Sequence, residues 1–365
     1  MNFPKLAIII LNWNGWQDTI ECLEYVRQLT YPNYLTVVVD NGSLDESVKE
    51  IKMWAEENLG EDHVLIEYTR EDALQGGEEK KEDALEEVAS PKAKLVLIKN
   101  EENLGFTGGN NVAIHYAIHR KYSVNYVFLL NNDTKVEKNS LIYLVEADRR
   151  ANAGIVGGAL VREGTTGKAQ FSNAVPKFLF LHKFFSPIFW FFSPIFWSES
   201  QEDKNDELKR NWGVEGVAML IRVDVLKAVY NHQGFYLNPV FFGYADELEF
   251  IFRATKYGYK SIVIKQVVVY HKGARSFGGK CSPLSCYYST RNRIFLAKNT
   301  LPWGVWVIFC IFNPLVWIVR FLKNRNYRQP RVMRAILCGL IDGYAGVGGI
   351  WNYHNREALK VRTSK

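Results

Sequence analysis

Carboxylates and amides gather in four short words of this sequence: Asn12-Trp13-Asn14, Asp40-Asn41-Gly42-Ser43, Asn103 to Asn111, and Asn131-Asn132-Asp133. A fifth word, FFGYADELEFIFR, sets Asp246 and Glu247 side by side ahead of an apolar helical pattern, and SIVIKQVVVYH ends in His271. Three chemistries suit these residue types. A single carboxylate such as Asp133, at the end of an apolar strand, holds Mg2+ or Mn2+ when a diphosphate supplies further oxygens, because such hard ions take oxygen ligands and keep part of their shell for phosphate and water. The plain alternative is an Asx-turn that ends the strand. Glu247, in the first turn of a helix, is a general base for a hydroxyl, whereas Asp246 and Glu249 by themselves have the spacing of an acidic capping box. Asp40 accepts the imide N–H of uracil or thymine, which adenine lacks, or else Asp40 and Ser43 make a turn and a helix cap.

The word NLGFTGGNN carries glycines at 105, 108 and 109, which let backbone N–H groups approach an anion. It does not fit GxGxxG, so a nicotinamide-dependent dehydrogenase is disfavoured. His271 is either a metal or diphosphate ligand or an ordinary histidine at a strand end. Lys272, Arg275, Arg291 and Arg293 follow as cations for a diphosphate, and Arg291 and Arg293 suit lipid headgroups equally well.

The elements that must position these groups read as α/β. Leu6 to Leu11 is a strand, Asp18 to Leu29 a helix, Leu35 to Val39 a strand, and a helical stretch runs to about Asn58, giving a β-α-β-α opening with parallel strands. Residues 69–93 are acidic with few large apolar side chains and read as a solvated insert. Lys94 to Ile98 resumes as a strand, NLGFTGGNN follows as a loop, Asn111 to Lys121 as a helix and Tyr126 to Leu130 as a strand. Further on, Trp212 to Ala228 reads as a strand leading into a helix, Phe250 to Tyr257 as a helix stopped by Gly258, and Ser261 to Tyr270 as a strand. Ligands of open α/β sheets bind outside the carboxyl ends of the strands, so the four polar words converge on one site, although each alone is a weak signal.

The chain has 365 residues, 47% of them hydrophobic, which is enough for a large core and argues against disorder; its net charge of +6 is mild, and nucleic acid is not an expected partner. Five scattered cysteines, at 22, 281, 286, 310 and 338, form no CxxC pair and suit a reducing compartment, the cytosol. The N-terminus reads as a first strand rather than a signal peptide. Between 184 and 197 the word FFSPIFW occurs twice in tandem, an aromatic patch that is either packed on the body or seated at a membrane interface. Residues 299–319 carry no charge and are long enough to span a bilayer, yet both flanks are basic, which favours an in-plane or re-entrant segment on anionic lipid over a single span.

Taken together, IIILNWNG, VVVDNGSLD, ENLGFTGGNN, LLNNDT, GVAMLIR, the FFGYADELEF and VYHKGARS segments and YYSTRNR resemble the inverting family 2 glycosyltransferases, especially the rhamnosyltransferase-like branch. The words occur in order over about residues 5 to 295. The resemblance implies a GT-A fold: a Rossmann-like nucleotide-binding half with a mixed central sheet, in a catalytic domain of residues 1–280 whose acceptor side is 160–215. Residues 281–365 then form a helical, basic, membrane-associated region. The resemblance makes Asn12, Asn14, Asp40 and Ser43 nucleotide contacts, and Gly109, Asn110 and Asn111 part of the donor pocket; Asn41, Gly108, Asn131, Arg291 and Arg293 are expected beside them as further nucleotide-sugar contacts. Asn131 and Asp133 stand where the family's Asp-x-Asp metal motif lies, the first aspartate replaced by asparagine; His271, read above from its place at a strand end, is expected to join Asp133 as a metal ligand. The family's Glu-Asp pair appears as Asp246-Glu247 with the acids exchanged; position favours Glu247 as base, and chemistry also allows Asp246. The expected partners are a UDP- or dTDP-sugar donor, with dTDP-rhamnose suggested by the branch, a lipid-linked or cell-surface glycan acceptor, and the cytosolic face of the membrane. Two rival readings are a sugar-phosphate nucleotidylyltransferase, disfavoured because ILNWNGWQD lacks Arg and Lys, and a non-catalytic sugar-nucleotide sensor, suggested by the missing aspartate and the exchanged acids.

Overall fold

Near-continuous runs of Ile, Val and Leu are what a strand needs when both faces of its sheet are covered, and LAIIILN, YLTVVVDN and YVFLLN become such strands in a computed structural model of the chain. The structure describes residues 3–162, 208–210, 214–273, 281–323 and 325–351, so the FFSPIFW repeat, Arg275 and most of the 160–215 region lie outside the described residues. Contacts divide the chain into a first unit, Met1–Leu237 with Glu247–Gly273, and a second, Asn238–Asp246 with Ala274–Lys365.

The first unit opens with β1 (Leu6–Asn12), α1 (Trp16–Arg27), β2 (Tyr34–Asn41), α2 (Ser47–Asn58) and β3 (Val64–Thr69), then two short helices, α3 (Arg70–Leu74) and α4 (Glu79–Glu87). It continues with β4 (Lys94–Asn100), α5 (Gly105–His119), β5 (Tyr126–Asn131), β6 (Thr134–Val136), α6 (Ser140–Ala151), β7 (Gly154–Arg162), β8 (Leu208–Arg210), β9 (Ala218–Arg222), α7 (Val223–Gln233), α8 (Asp246–Lys256, whose first residue falls in the second unit) and β10 (Lys260–His271). The strands form one sheet in the order β3-β4-β2-β1-β5-β9-β7-β10-β6, with β8 also on β10. Pairing is parallel from β3 to β5, antiparallel on both sides of β9, and parallel again between β7 and β10. Alternate residues enter two cores, with Ile8, Ile10, Val38 and Phe128 on one face and Ala7, Ile9, Val37 and Leu129 on the other, as the two-residue period of a strand requires.

Two expectations change here. The word NLGFTGGNN is not a loop followed by a helix: α5 starts at Gly105, directly after the Asn103-Leu104 turn. The acidic segment 69–93 is not simply solvated, because Ala73, Leu85 and Glu82 all point inward from α3 and α4 and are buried. Its high charge sits on the outward face of short amphipathic helices, which composition averages away.

In the second unit, α9 (Pro283–Thr300), α10 (Trp303–Lys323) and α11 (Pro330–Ala345) follow one another. Helix α9 meets α11 so closely that a Cβ on Gly339 would lie 2.7 Å from the carbonyl oxygen of Tyr287, and the hydroxyl of Tyr287 donates to Asp342 at 2.6 Å. Helix α10 runs through Pro314 without ending and is long and apolar enough, by length and composition alone, to be a candidate membrane segment. Ile311, Leu315, Ile318 and Leu322 on α10, and Met333, Leu337 and Ile341 on α11, are exposed.

Candidate active site

Register brings the polar words together. Asn12 lies opposite Asp40, Leu11 opposite Asn131, and Asn41 opposite Asn100, so the carboxyl ends of β4, β2, β1 and β5 present one continuous row of amides and carboxylate. A row of this kind at the end of a buried sheet has to be satisfied, and the structure shows by what. Asn12 Nδ2 donates to Asp40 Oδ1 at 2.8 Å and to Ser43 Oγ at 3.2 Å, while its Oδ1 accepts from the Thr19 hydroxyl at 2.8 Å. The N–H of Ser43 donates to Asp40 Oδ2 at 3.1 Å, and Ser43 Oγ accepts from the N–H of Asn14 at 2.9 Å. Gly42 permits the turn between them: its φ is +71°, and a Cβ there would come within 2.6 Å of the backbone of Glu102. Asp40 is 3% exposed, and a ligand imide would reach only the lone pairs these donors leave. Trp13, 37% exposed, stands with Asn14 and Leu44 at the surface of the same two loops.

Several residues expected to touch the donor prove to be internal braces. Asn41 is buried, donating to Asn103 Oδ1 at 3.0 Å and to the Gly105 carbonyl at 3.1 Å, and accepting from Asn100; it fixes the start of α5. Asn110 is buried and donates to the Phe106 carbonyl at 2.8 Å. Asn111 grips the peptide of Leu237 from both sides, Nδ2 to its carbonyl at 2.7 Å and Oδ1 from its N–H at 2.8 Å. A Cβ at Gly109 would fall 2.4 Å from Leu11 Cδ1, so this glycine lets α5 pack closely on β1, and a Cβ at Gly108 would fall 2.7 Å from Leu104 Cβ at the helix's own N-cap. Position in a Gly- and Asn-rich word does not distinguish a side chain facing a ligand from one facing the sheet.

At the end of β5, Asn131 donates its N–H to the Val217 carbonyl at 2.9 Å, and Asn132 braces the strand end to α1 through Thr19 Oγ1 at 3.1 Å. Asp133 is wrapped by the chain that leaves β10: His271 Nε2 stands 3.1 Å from its Oδ1, and the N–H of Gly273 donates to its Oδ2 at 3.1 Å. Burial opposes the charge on Asp133, but the His271 imidazole and the Gly273 N–H outweigh it and hold the carboxyl below its ordinary range. His271 Nδ1 is buried with no hydrogen-bond partner among the described residues. Among those residues no cluster of three or more His, Cys, Asp or Glu forms a complete metal cage. One carboxylate and one imidazole, with Oδ1 and Nε2 3.1 Å apart, do fit a divalent ion that draws its remaining oxygens from a diphosphate.

The acid pair divides by exposure. Asp246 is 2% exposed, whereas Glu247 is only half-buried, so accessibility adds to position in favour of Glu247. Oε2 of Glu249 accepts from Arg253 Nε at 2.9 Å within α8. Sequence reasoning missed Gly216: a Cβ there would sit 3.4 Å from Glu247 Cβ and 3.6 Å from the ring of Phe106, in the chain that one residue later bonds Asn131. Gly216 is therefore the point at which the Glu247, α5 and β5 words meet. Its signal was the first letter of GVAMLIR.

The cations are corrected most. The Lys272 ammonium is taken by Asp18 and Glu21 on α1. Arg291 is fully buried in the second unit, with its guanidinium bound to the Gly349, Val240 and Phe241 carbonyls and to Asn292 Oδ1. A guanidinium satisfied in that way is not a diphosphate clamp. Arg293 also belongs to the second unit, where burial and the charge of Arg320 push it down to about 10.

Comparison with known proteins fits this architecture. Residues 7–78 match the family model described as Glycosyl transferase family 2. No curated protein matches the chain. Among solved structures, the mannosyltransferase PcManGT from Pyrobaculum calidifontis in complex with GDP-Man and Mn2+ is 14% identical with a TM-score of 0.52, covering 100% of this chain and 80% of that one. TarS 1–349 of S. aureus in complex with UDP-GlcNAc is also 14% identical, at 0.51, covering 93% and 81%. GalNAc-T7 with UDP, GalNAc and Mn2+ is 12% identical, at 0.51, covering 81% and 48%. The chain spans 66% of TarS 1–349 in its form without a named ligand. At these identities the likeness is one of fold, and the fold is GT-A: mixed α/β with a candidate membrane helix near the C-terminal end.

Proposed function

We propose that this chain is a glycosyltransferase that moves a sugar from a nucleoside diphosphate donor to a hydroxyl acceptor with inversion at the anomeric carbon. The observation that carries the reading is the half-exposed Glu247 at Gly216, beside the strand-end row formed by Asn12, Asp40 and Asn131. Trp13, Asn14 and Ser43 offer a flat apolar face and polar edges for the nucleobase, with Asp40 and Asn12 stiffening them from below. Uracil or thymine suits this set best, so the donor is a UDP- or dTDP-sugar, with dTDP-rhamnose the first to try. Glu247 takes the acceptor hydroxyl proton as the oxygen attacks the anomeric carbon, and the nucleoside diphosphate leaves. Asp133 and His271 would hold Mg2+ or Mn2+, which when bound supplies positive charge to the departing diphosphate. A single inverting displacement needs no covalent intermediate on the enzyme. Support at the level of fold comes from PcManGT, solved with GDP-Man and Mn2+, and TarS, solved with UDP-GlcNAc.

The test is Glu247→Gln, assayed for nucleoside diphosphate release from UDP- and dTDP-sugars with Mn2+ present and with glycan acceptors supplied. An unaltered melting curve with turnover lowered about 10²- to 10⁴-fold is expected. Full turnover would remove Glu247 as the base.

The acceptor side of the reading is a lipid-linked or cell-surface glycan met at the cytosolic face of the membrane. The exposed apolar stripes of α10 and α11 lie on helices joined by a turn carrying exposed Arg325 and Arg328, with exposed Arg331 just inside α11. Apolar stripes with a cationic connection suit in-plane seating on anionic lipid. Flotation with phosphatidylglycerol vesicles should recover the protein at low salt, and failure to float at any salt would refute this seating.

A further inference from the structure

The loop that delivers the acid pair to α8 is held in an uncommon shape. Phe242, Tyr244 and Ala245 have φ of +60°, +70° and +63°, and none of them is glycine. Bulky residues with positive φ are genuine outliers, and such conformations persist only where the surroundings over-determine them. Phe242 stacks on the Tyr288 ring and the Tyr244 hydroxyl donates to Ser285 Oγ at 3.1 Å, while the backbone carbonyls of the loop are held by two consecutive residues of α9. Asn292 Nδ2 donates to the carbonyls of Phe241 at 2.7 Å, Gly243 at 2.6 Å and Tyr244 at 3.0 Å. Arg291 Nη2 donates to the carbonyls of Val240 and Phe241, each at 3.1 Å, and its Nη1 to Gly349 at 2.6 Å.

The two side chains also fix each other. Arg291 Nε donates to Asn292 Oδ1 at 2.9 Å, so the amide can turn only one way, with its NH2 toward the loop. The guanidinium in turn lies over the rings of Tyr288, Tyr287 and Phe295, 4.9 to 5.4 Å from their centroids. Both residues are fully buried, and every contact named here lies within the second unit. The last carbonyl held, that of Tyr244, is two residues before Asp246 and three before Glu247.

We propose that Arg291 and Asn292 are positioning residues, which set the path of the chain into the acid pair and thereby the placement of the general base; this rests on the reading of Glu247 as that base. A clamp with a purely supporting role has no need of a loop with three side-chain-bearing residues at positive φ. A clamp that aims a carboxylate does, because an error of about 1 Å in a reacting group can cost about 10²-fold in rate.

The test uses the full chain with Asn292→Ala and Arg291→Lys, each compared with wild type by melting curve, donor affinity at equilibrium, and kcat and KM for donor and acceptor. Asn292→Ala is expected to keep donor affinity within about twofold and to lose about 10²-fold in kcat. Arg291→Lys, which retains the charge but loses the fork that orients the amide, should lose about tenfold on the same basis. A folded Asn292→Ala with kcat near wild type overturns the proposal, as does a loss of kcat that only follows a parallel loss of donor affinity. If Asn292→Ala does not fold, the same criteria apply to Arg291→Lys; if neither folds, the clamp is only structural and the proposal falls. Glu247→Gln run alongside separates the two readings. If it is inactive while Asn292→Ala is not, positioning alone fails; if it is fully active, the base reading fails.

Discussion

Two regions of the first unit bury charged and polar side chains to opposite ends. Around Glu82 the set closes on itself: Oε1 accepts the Tyr68 and Tyr116 hydroxyls at 3.0 and 2.7 Å, and Oε2 accepts Arg120 Nε at 2.6 Å, with both charged side chains 1% exposed. Along the strand ends the row is also buried at its base, but it finishes in groups that reach the surface, namely Trp13, Asn14, Ser43 and, at its far side, Glu247. A buried cluster whose carboxylate is met by three internal donors is a staple. One that braces a few side chains from below and leaves them accessible is a site. Polar composition alone does not separate the two, and the acidic segment 69–93, read from its composition as a solvated insert, holds the lock around Glu82.

Substitutions can break that contrast or sharpen it. Glu82→Ala leaves the Arg120 guanidinium buried without its carboxylate and should cost about 3–5 kcal/mol of stability, measured by urea denaturation; a loss below about 1 kcal/mol would mean that the cluster is not a closed lock. Trp13→Ala removes an accessible ring and should weaken donor binding by about tenfold, roughly 1.4 kcal/mol, with the donor affinity read by titration. Unchanged affinity would take Trp13 out of the site. On stability the smallest effect belongs to Glu247→Gln, expected within about 0.5 kcal/mol of wild type because the side chain is only half-buried. A larger loss would move Glu247 to the structural side of the comparison.

Much of the first unit was legible in the sequence because strands buried on both faces announce themselves as unbroken Ile, Val and Leu runs with Asn or Asp at one end. The convergence of those ends followed from parallel topology. What was not legible was direction. Asn110 and Asn111 are adjacent in one word, yet one bonds its own helix and the other the peptide of Leu237, 126 residues away. The start of α5 was hidden because Gly105, Gly108 and Gly109 are poor helix formers; Gly105 takes a φ of +72°, and Gly109 permits the close approach of α5 to Leu11 and Asn41. Arg291 was read as a cation for a diphosphate or a lipid headgroup because arginine is mostly exposed, and only tertiary structure reveals a guanidinium spent on backbone carbonyls. Glu247 was placed correctly in the first turn of a helix, but the contact at Gly216 that gives it neighbours depends on chain far away in sequence.

The partners of Asp133 bear on how the molecule is made. The N–H that reaches its carboxylate comes from Gly273, 140 residues later, and the strand that carries His271 is the last to join the sheet in chain order. A ribosome adding about 5–20 residues per second takes roughly 7–30 s to cover that distance. Through that interval the nascent chain holds the residues of β1 to β5, and with them the loops proposed to face the nucleobase, while the carboxylate beside them has neither imidazole nor backbone donor. The proposed pocket for the base is thus complete in sequence well before the proposed place for the diphosphate, so on that reading a donor met early would be gripped by only one end.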